Sequence, residues 1–552
     1  MTVAENNPQK LLSGIGVGGG RVAGKLRFFQ RVSRKNKSKP QTRTSEAEWE
    51  RLERALRITA ERLDGLYKRT LQAVGEEEAK IFEIHAMLLE DDDFLDTLRT
   101  EHGRGQCAED TLEKATTTIA ATLEALSDPY LSARAADIRD LSVQIRQALS
   151  GEEAVLPAIE NTPFILVADD LSPSETVMLD RSLILGFVTL RGTPNSHTAI
   201  LARAMGIPAL VSVGDLPSEA DGCYALLDAA EGTLTISPSD EQKSVFAEKQ
   251  RRDDRIAQEH DRYLRSLLNK PAVTKAGHRI LIYANIGNGN EVDAALSGGA
   301  DGIGLLRSEF LYLSESDYPN EERLFCAYRD IALKMQGKRT VIRTLDIGAD
   351  KQISYFDLPK EENPALGFRA IRICLARKEL FKTQLRAILR ASAVGRLAVM
   401  LPMIVSVDEI RQSKLLLEEC KTELCRENKL FDNELEFGIM IETPAAAIMC
   451  EELAEEVDFF SVGTNDLSQY TLAADRQNPA LAALCEDNTE PIMRMIEHAA
   501  RAIHDKGGWI GICGEMAADL RFTQRFADMR VDELSVSPPY LLGIRGRVTE
   551  CI

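Results

Sequence analysis

The chain has 552 residues, 44% of them hydrophobic and 28% charged, and a formal net charge of -19. That length exceeds what one hydrophobic core organises, so about three domains are expected. The acidic balance argues against nucleic acid as the main ligand and suits a basic protein partner, and the absence of any apolar run long enough to span a bilayer, or of an apolar leader, points to a cytoplasmic protein without membrane contact.

Residues 11–29, LLSGIGVGGGRVAGKLRFF, read as a strand, a glycine turn and a second strand. Residues 31–43 are rich in Lys and Arg but hold no aromatic residue, which fits a solvated linker better than a nucleic-acid patch. From Ser45 to Leu149 apolar residues recur at short helical intervals, as in Leu52, Leu56, Ile58 and Leu63, and then three and four apart in Ile81, Ile84 and Leu88. This is the pattern of a helical bundle. Residues 155–237 return to short strands and helices, so the bundle reads as an insertion into an α/β domain whose first strands lie at residues 11–29. The expected boundaries are 1–43 with 150–237 for the α/β domain, 44–149 for the bundle and 238–270 for a charged connecting helix.

After Pro271 come eight strand-like stretches, mostly separated by helical patterns: RILIYANIG, DGIGLLRSEF, TVIRTLDIG, LAVMLPMI, EFGIMIETP, VDFFSVGTND, WIGICGE and VDELSVSP. Eight such units in 271–552 predict a TIM (β/α)8 barrel, with chemistry at the C-terminal strand ends. The fold class is therefore multidomain α/β. Those ends carry Arg307, Arg343 with Asp346, Glu442, Asn465 with Asp466, and Cys513. Paired carboxylates suit Mg²⁺, and several guanidiniums suit an anion rich in phosphate or carboxylate oxygens. Cys513 reads either as a proton donor or as a core cysteine like most of the other nine, none of which forms a CxxC pair. Arg369 and Arg372 either add positive charge or belong to a helix surface.

In TPNSHTAILARAMGIPALV, residues 193–211, Asn195 or Ser196 can cap a helix whose first turn holds His197. An anion is favoured there, and neutral imidazole is a good nucleophile near pH 7. A capping or core histidine remains the alternative. Thr176, in LSPSETVML, is a candidate to hold the other ring nitrogen, or a turn residue.

The stretches SHTAILARAMGIPALV, GIGLLRSEFL, VIRTLDIGADK, PKEENPALGFRAIR, MIETPAAA, VDFFSVGTNDLSQYTLAADR and GICGE resemble the phosphoenolpyruvate-utilising enzymes. The segment EEEAKIFEIHAMLLEDDDF is similar to the Enzyme I branch, which serves the bacterial phosphotransferase system. The resemblance implies that His197 is phosphorylated by phosphoenolpyruvate. It implies that Arg307, Arg343, Asn465, Asp466 and Arg476 surround the substrate, that Glu442 and Asp466 hold Mg²⁺, and that Cys513 protonates the leaving enolate to give pyruvate. It makes residues 1–43 with 150–237 a phosphohistidine domain, which must meet the barrel for the first transfer and separate from it for the second. It implies the histidine phosphocarrier protein HPr as second acceptor, docked on the bundle, and a homodimer through the barrel. From Glu76 to Asp93 the sequence has eight acids and one lysine. Glu76, Glu77, His85, Met87, Leu88, Asp91 and Asp93 are the expected contact residues there, against a plain solvated helix face as alternative.

Three departures stand out. Gly192–Thr193–Pro194–Asn195 replaces the family's glycine pair before the histidine, and GVGGGRVAG replaces its Ser–Pro–Gly turn. The chain ends at Cys551–Ile552, earlier than family members do, which puts the packing of the last barrel helix at issue.

Overall fold

A computed structural model describes residues 10–29, 44–73, 76–89, 91–104, 107–124, 129–150, 162–169, 171, 175, 182–192, 198–199, 202–203, 206–313, 315, 317–348, 353–359, 361–475, 478 and 481–552. The chain divides into two compact units, Met1–Gln258 and Glu259–Ile552. The division falls inside the helix Asp240–Arg265, which is highly charged and buries only Phe246.

The first unit contains an eight-stranded sheet. Its strands are β1 (Lys10–Ser13), β2 (Ile15–Val17), β3 (Arg21–Phe28), β4 (Phe164–Ala168), β5 (Ile184–Thr189), β6 (Ala209–Val211), β7 (Tyr224–Asp228) and β8 (Thr233–Ile236). The order is β1-β8-β7-β3-β4-β5-β6-β2. The N-terminal stretch thus forms three strands where two were expected. Only Gly14 separates β1 from β2, yet they pair at opposite ends of the order, with β8 and β6. The sheet must therefore curl until its edges meet. A Cβ on Gly14 would lie 2.9 Å from the carbonyl oxygen of Val211, so glycine is what lets the chain cross there.

Strand β3 pairs in parallel with β4, Lys25 facing Phe164, although five helices intervene among the described residues. These are α1 (Ser45–Ala73), α2 (Glu76–Leu89), α3 (Asp92–His102), α4 (Ala108–Glu124) and α5 (Pro129–Ser150). Their shared core takes Leu52, Ala55, Leu63 and Leu66 from α1, Phe82 and Leu89 from α2, and Ile138, Leu141 and Ile145 from α5. The buried stripe of α1 runs through Ala55 and Thr59, while Leu56 and Ile58 are half-buried. Thr59 satisfies its hydroxyl on the Ala55 carbonyl, 2.8 Å away, so a polar residue can occupy the stripe.

The same periodicity corrects one expectation. Phe82, His85 and Leu89 lie three and four apart and form the core face of α2. His85 is wholly buried, with Asp137 and Asp140 of α5 3.6 and 3.7 Å from its ring nitrogens. It presents no surface to a partner. Met87 and Asp93 are exposed, Leu88 is half-buried, and exposed Asp91 caps α3 by accepting from the Phe94 N–H at 3.0 Å. The side chains of Glu76 and Glu77 lie outside the described residues.

The second unit is a closed barrel of eight parallel strands: β10 (Arg279–Ile286), β11 (Gly302–Arg307), β12 (Thr340–Arg343), β13 (Leu397–Leu401), β14 (Glu436–Ile441), β15 (Phe459–Val462), β16 (Trp509–Ile512) and β17 (Glu533–Val536). A short β9 (Ala272–Val273) adds antiparallel to β10, and the β10–β11 pairing closes the ring. All eight stretches expected as strands are strands. The outward face of each strand packs on the surrounding helices, as with Leu397, Val399 and Leu401 of β13. Alternate residues form a separate inner cluster of Leu305, Val341, Ala398, Met400, Met440, Phe459 and Cys513.

The last helix, Leu541–Glu550, is present and packed, with Leu541, Ile544, Arg545 and Val548 buried. Arg545 is 1% exposed, and it donates to the carbonyls of Lys270 and Gly299 and to Asp301 at 2.9 Å. Arg545→Met should lower the unfolding free energy by about 3 kcal/mol, toward the low end for a broken buried pair because Asp301 keeps some solvent. Chemical denaturation of the full chain reads this; an unchanged midpoint would mean the ion pair contributes nothing.

Candidate active site

The barrel's pleat decides which residues meet at its mouth. Arg307 lies two residues beyond Leu305, Arg343 two beyond Val341, Glu442 two beyond Met440, and Cys513 two beyond Gly511. Side chains alternate along a strand, so all four share the inner face at its C-terminal end. Arg307 and Arg343 are register partners on β11 and β12. Asn465 and Asp466 open the helix Thr464–Leu472 directly after β15.

Arg343 is buried between two carboxylates. Its Nη1 is 2.8 Å from Asp346 and its Nη2 bonds Glu309. The other oxygen of Asp346 holds Arg369 at 2.8 Å. Burial alone would push both guanidiniums down. For Arg343, Asp346, Glu309, Glu442 and Asp466 outweigh it; for Arg369, Asp346 and Asp466 do. Both therefore stay charged. Arg369 thus joins the site, whereas Arg372 donates to the carbonyls of Leu366 and Gly367 and ties the loop instead.

Glu442 is fully buried. Its Oε1 accepts a 2.6 Å hydrogen bond from the Met403 N–H, and Oε2 has no partner among the described residues. Met403 has a φ of 59°, a left-handed conformation that a side chain disfavours, and this conformation presents its N–H to the carboxylate. Burial, reinforced by Asp466 and Asp346 and opposed by Arg343, pushes the Glu442 carboxyl well above its usual range. A buried carboxylate oxygen without a donor fits a cation. Among the described residues no group of three or more His, Cys, Asp or Glu could hold a metal ion. Glu442 and Asp466 therefore suit a hard ion that keeps water and substrate oxygens as its remaining ligands.

Asn465 exchanges two hydrogen bonds with Glu515, donating to its carboxylate at 3.0 Å and accepting from its N–H at 2.8 Å. Cys513 is buried, with its thiol 3.4 Å from the Val462 carbonyl that its own N–H also meets at 3.0 Å. Burial pushes the thiol up to about 12; a hydrogen bond with Ser461 lowers it and the Glu442 charge raises it. It is therefore an S–H, not a thiolate, near neutral pH. That suits giving a proton rather than attacking carbon.

Three guanidiniums thus gather with four carboxylates, Glu309, Asp346, Glu442 and Asp466, around the mouth. With the raised Glu442 carboxyl protonated these charges balance; its ionisation leaves a slight negative excess, unfavourable for an anionic substrate, which a divalent cation reverses. His197, Thr176 and Arg476 lie outside the described residues. Sequence reasoning missed Glu309 and Met403. Glu309 follows Arg307 by two residues, a signal that was there to read. Met403 acts through its backbone N–H, which no residue type announces.

Residues 13–134 match the N-terminal domain of PEP-utilising enzymes, residues 160–232 their mobile domain, and residues 261–551 their PEP-binding domain. Curated relatives that match most of the chain carry the name phosphoenolpyruvate-protein phosphotransferase. That of Haemophilus influenzae is 43% identical, covering 89% of this chain and 85% of the relative. That of Bacillus sp. (strain S) is 40% identical, covering 92% and 87%. That of Bacillus subtilis is 37% identical, covering 98% and 94%. The matched domains run in the order that the sheet, the bundle and the barrel require, and the chain belongs to the phosphoenolpyruvate-protein phosphotransferases of the PEP-utilising enzyme family.

Proposed function

We propose that the protein moves the phosphoryl group of phosphoenolpyruvate onto its own His197, releases pyruvate, and passes the group to a histidine of HPr. This is the first step of phosphotransferase-system sugar uptake. The observation that carries the reading is the barrel mouth. There, buried arginines, an acid pair with one oxygen unpartnered among the described residues, and a protonated thiol converge on one face.

In this reading Arg307, Arg343, Arg369 and Arg476 hold the phosphate and carboxylate of the substrate, with Asn465 beside them. An imidazole nitrogen of His197 attacks phosphorus in line; an N–P bond forms and the bridging P–O bond breaks. Thr176 holds the opposite ring nitrogen and keeps the attacking one unprotonated. The electron pair left on the enolate takes the Cys513 proton at the methylene carbon, which becomes the methyl group of pyruvate. Glu442 and Asp466 are the residues that would hold Mg²⁺, whose chemistry when bound is to offset charge on the phosphoryl oxygens. The exposed acids Asp91 and Asp93, near Met87 and Leu88 in the sequence, steer a basic HPr surface, and Glu76 and Glu77 belong to the same acidic run. Self-association through the barrel and a cytoplasmic location belong to the same reading.

Mixing the protein with Mg²⁺ and phosphoenolpyruvate and weighing it intact tests this. The expected result is the gain of one acid-labile phosphate, absent in His197→Ala and discharged by HPr. No gain in the parent protein would instead make it a regulator that binds without turnover.

A further inference from the structure

One polar side chain at the barrel mouth is so far unexplained. Asn285 sits near the end of β10, in a strand otherwise made of Ile, Leu, Ala and Tyr after its first residue. Its amide reaches across the neighbouring strand β17 to the end of β16. Nδ2 donates to the carbonyl of Cys513 at 3.1 Å and to that of Ser535 at 3.0 Å, and Oδ1 accepts from the Ser535 hydroxyl at 2.6 Å. Two carbonyls on one side and a hydroxyl donor on the other fix which end of the amide is nitrogen.

The neighbouring strand makes room for this clip. The β10–β11 register shifts between Ala284 and Asn285, and the extra residue on β11 is Gly304. A Cβ there would lie 2.5 Å from the Ser535 hydroxyl, so a side chain at this bulge would displace the hydroxyl from Asn285.

Cys513 lies one residue past the end of β16, whose last register pair with β17 is Ile512 with Leu534. Its N–H is tied to Val462 of β15 and its carbonyl to Asn285 of β10. Both peptide groups flanking its Cα are thereby fixed from opposite sides, which leaves the S–H its rotations about Cα–Cβ and Cβ–Sγ to turn away from the Val462 carbonyl. We propose that Asn285, held by Ser535, is a positioning residue that aims the Cys513 proton at the enolate carbon. The inference rests on Cys513 being the proton donor, so its test must separate the two.

Asn285→Ala, Cys513→Ala and the double variant are compared in single-turnover pyruvate formation. Phosphoenolpyruvate KM and Mn²⁺ affinity are measured alongside. Misaiming a reacting group by about 1 Å costs on the order of 10²-fold. Asn285→Ala should therefore lose about 10- to 100-fold in kcat with KM and Mn²⁺ affinity as in the parent, and should add no further loss in the Cys513→Ala background. A general loosening of the barrel would instead raise KM, weaken Mn²⁺ binding, and add to the Cys513→Ala loss; any of these overturns the inference, as does an unchanged kcat. If Cys513→Ala itself turns over normally, the proton-donor reading has failed rather than the clip. Should Asn285→Ala not fold, Ser535→Ala removes one hydroxyl and frees the amide to turn; a smaller loss with the same split between kcat and KM is expected, and an unchanged kcat there overturns the inference too.

Discussion

Replacing Glu442 and Asp466 together by Ala removes the benefit of Mg²⁺ and lowers turnover by about three orders of magnitude or more. A cation at a transferring phosphoryl group supplies several kcal/mol of charge stabilisation, and each 1.4 kcal/mol or so is tenfold in rate. When ionised, the two carboxylates oppose an anion before a cation enters, so the variant should bind phosphoenolpyruvate without metal no worse than the parent. The pH dependence has a definite sign. Burial raises the Glu442 carboxyl in the metal-free protein, with Asp466 and Asp346 adding to the effect, so a proton competes with the cation for Oε2. Apparent Mg²⁺ affinity should increase as pH rises through the titration of that carboxyl, and one proton should be released on binding. Isothermal titration in two buffers of different ionisation enthalpy measures both. Undiminished turnover in the double variant removes Glu442 and Asp466 as ligands.

The barrel was legible because eight apolar stretches of β-branched residues alternate with helical patterns, and because the fold puts chemistry at one end of every strand. Arg343 and Asp346 could be named without contacts because that rule selects them, and they form an ion pair. The bundle was legible as a bundle, but its faces were not. The acidic run around His85 suggests a surface, yet the helical period set by Phe82 and Leu89 puts the imidazole in the core. Periodicity outranks local composition there, since a helix has one core face whatever its neighbours carry. Backbone roles stayed invisible. Met403 looks like a core methionine and is one by burial; its contribution to Glu442 is an N–H aimed by a positive φ. The crossing at Gly14 was hidden because pairing partners two hundred residues distant decide that β1 and β2 go to opposite edges. The packing of the last helix was hidden for the same reason: Arg545 anchors it through contacts to Lys270, Gly299 and Asp301 that lie far away in sequence.

Cys513→Ala is expected to slow pyruvate formation by about 10²- to 10⁴-fold, the usual worth of a positioned general acid, while leaving Mg²⁺ binding intact. Reversibility carries the same loss to the opposite direction, in which the thiolate would take a proton from the pyruvate methyl group, so loading of phosphate by reverse exchange should be equally poor. Burial holds the thiol at about 12, so it keeps its proton throughout the physiological range and contributes no limb to the rate profile there. An acid limb belongs to other groups, among them the Glu442 carboxyl, whose protonation competes with the cation; the rate then falls as pH falls. Cys513→Ser separates acidity from shape. It preserves size and a proton, but a hydroxyl is the weaker acid, so restoring the hydrogen without the sulfur should not restore the rate. A normal rate in Cys513→Ala would leave the thiol as a filler of the barrel's inner face beside Met440 and Phe459, and the enolate would then have to take its proton from another group or from water.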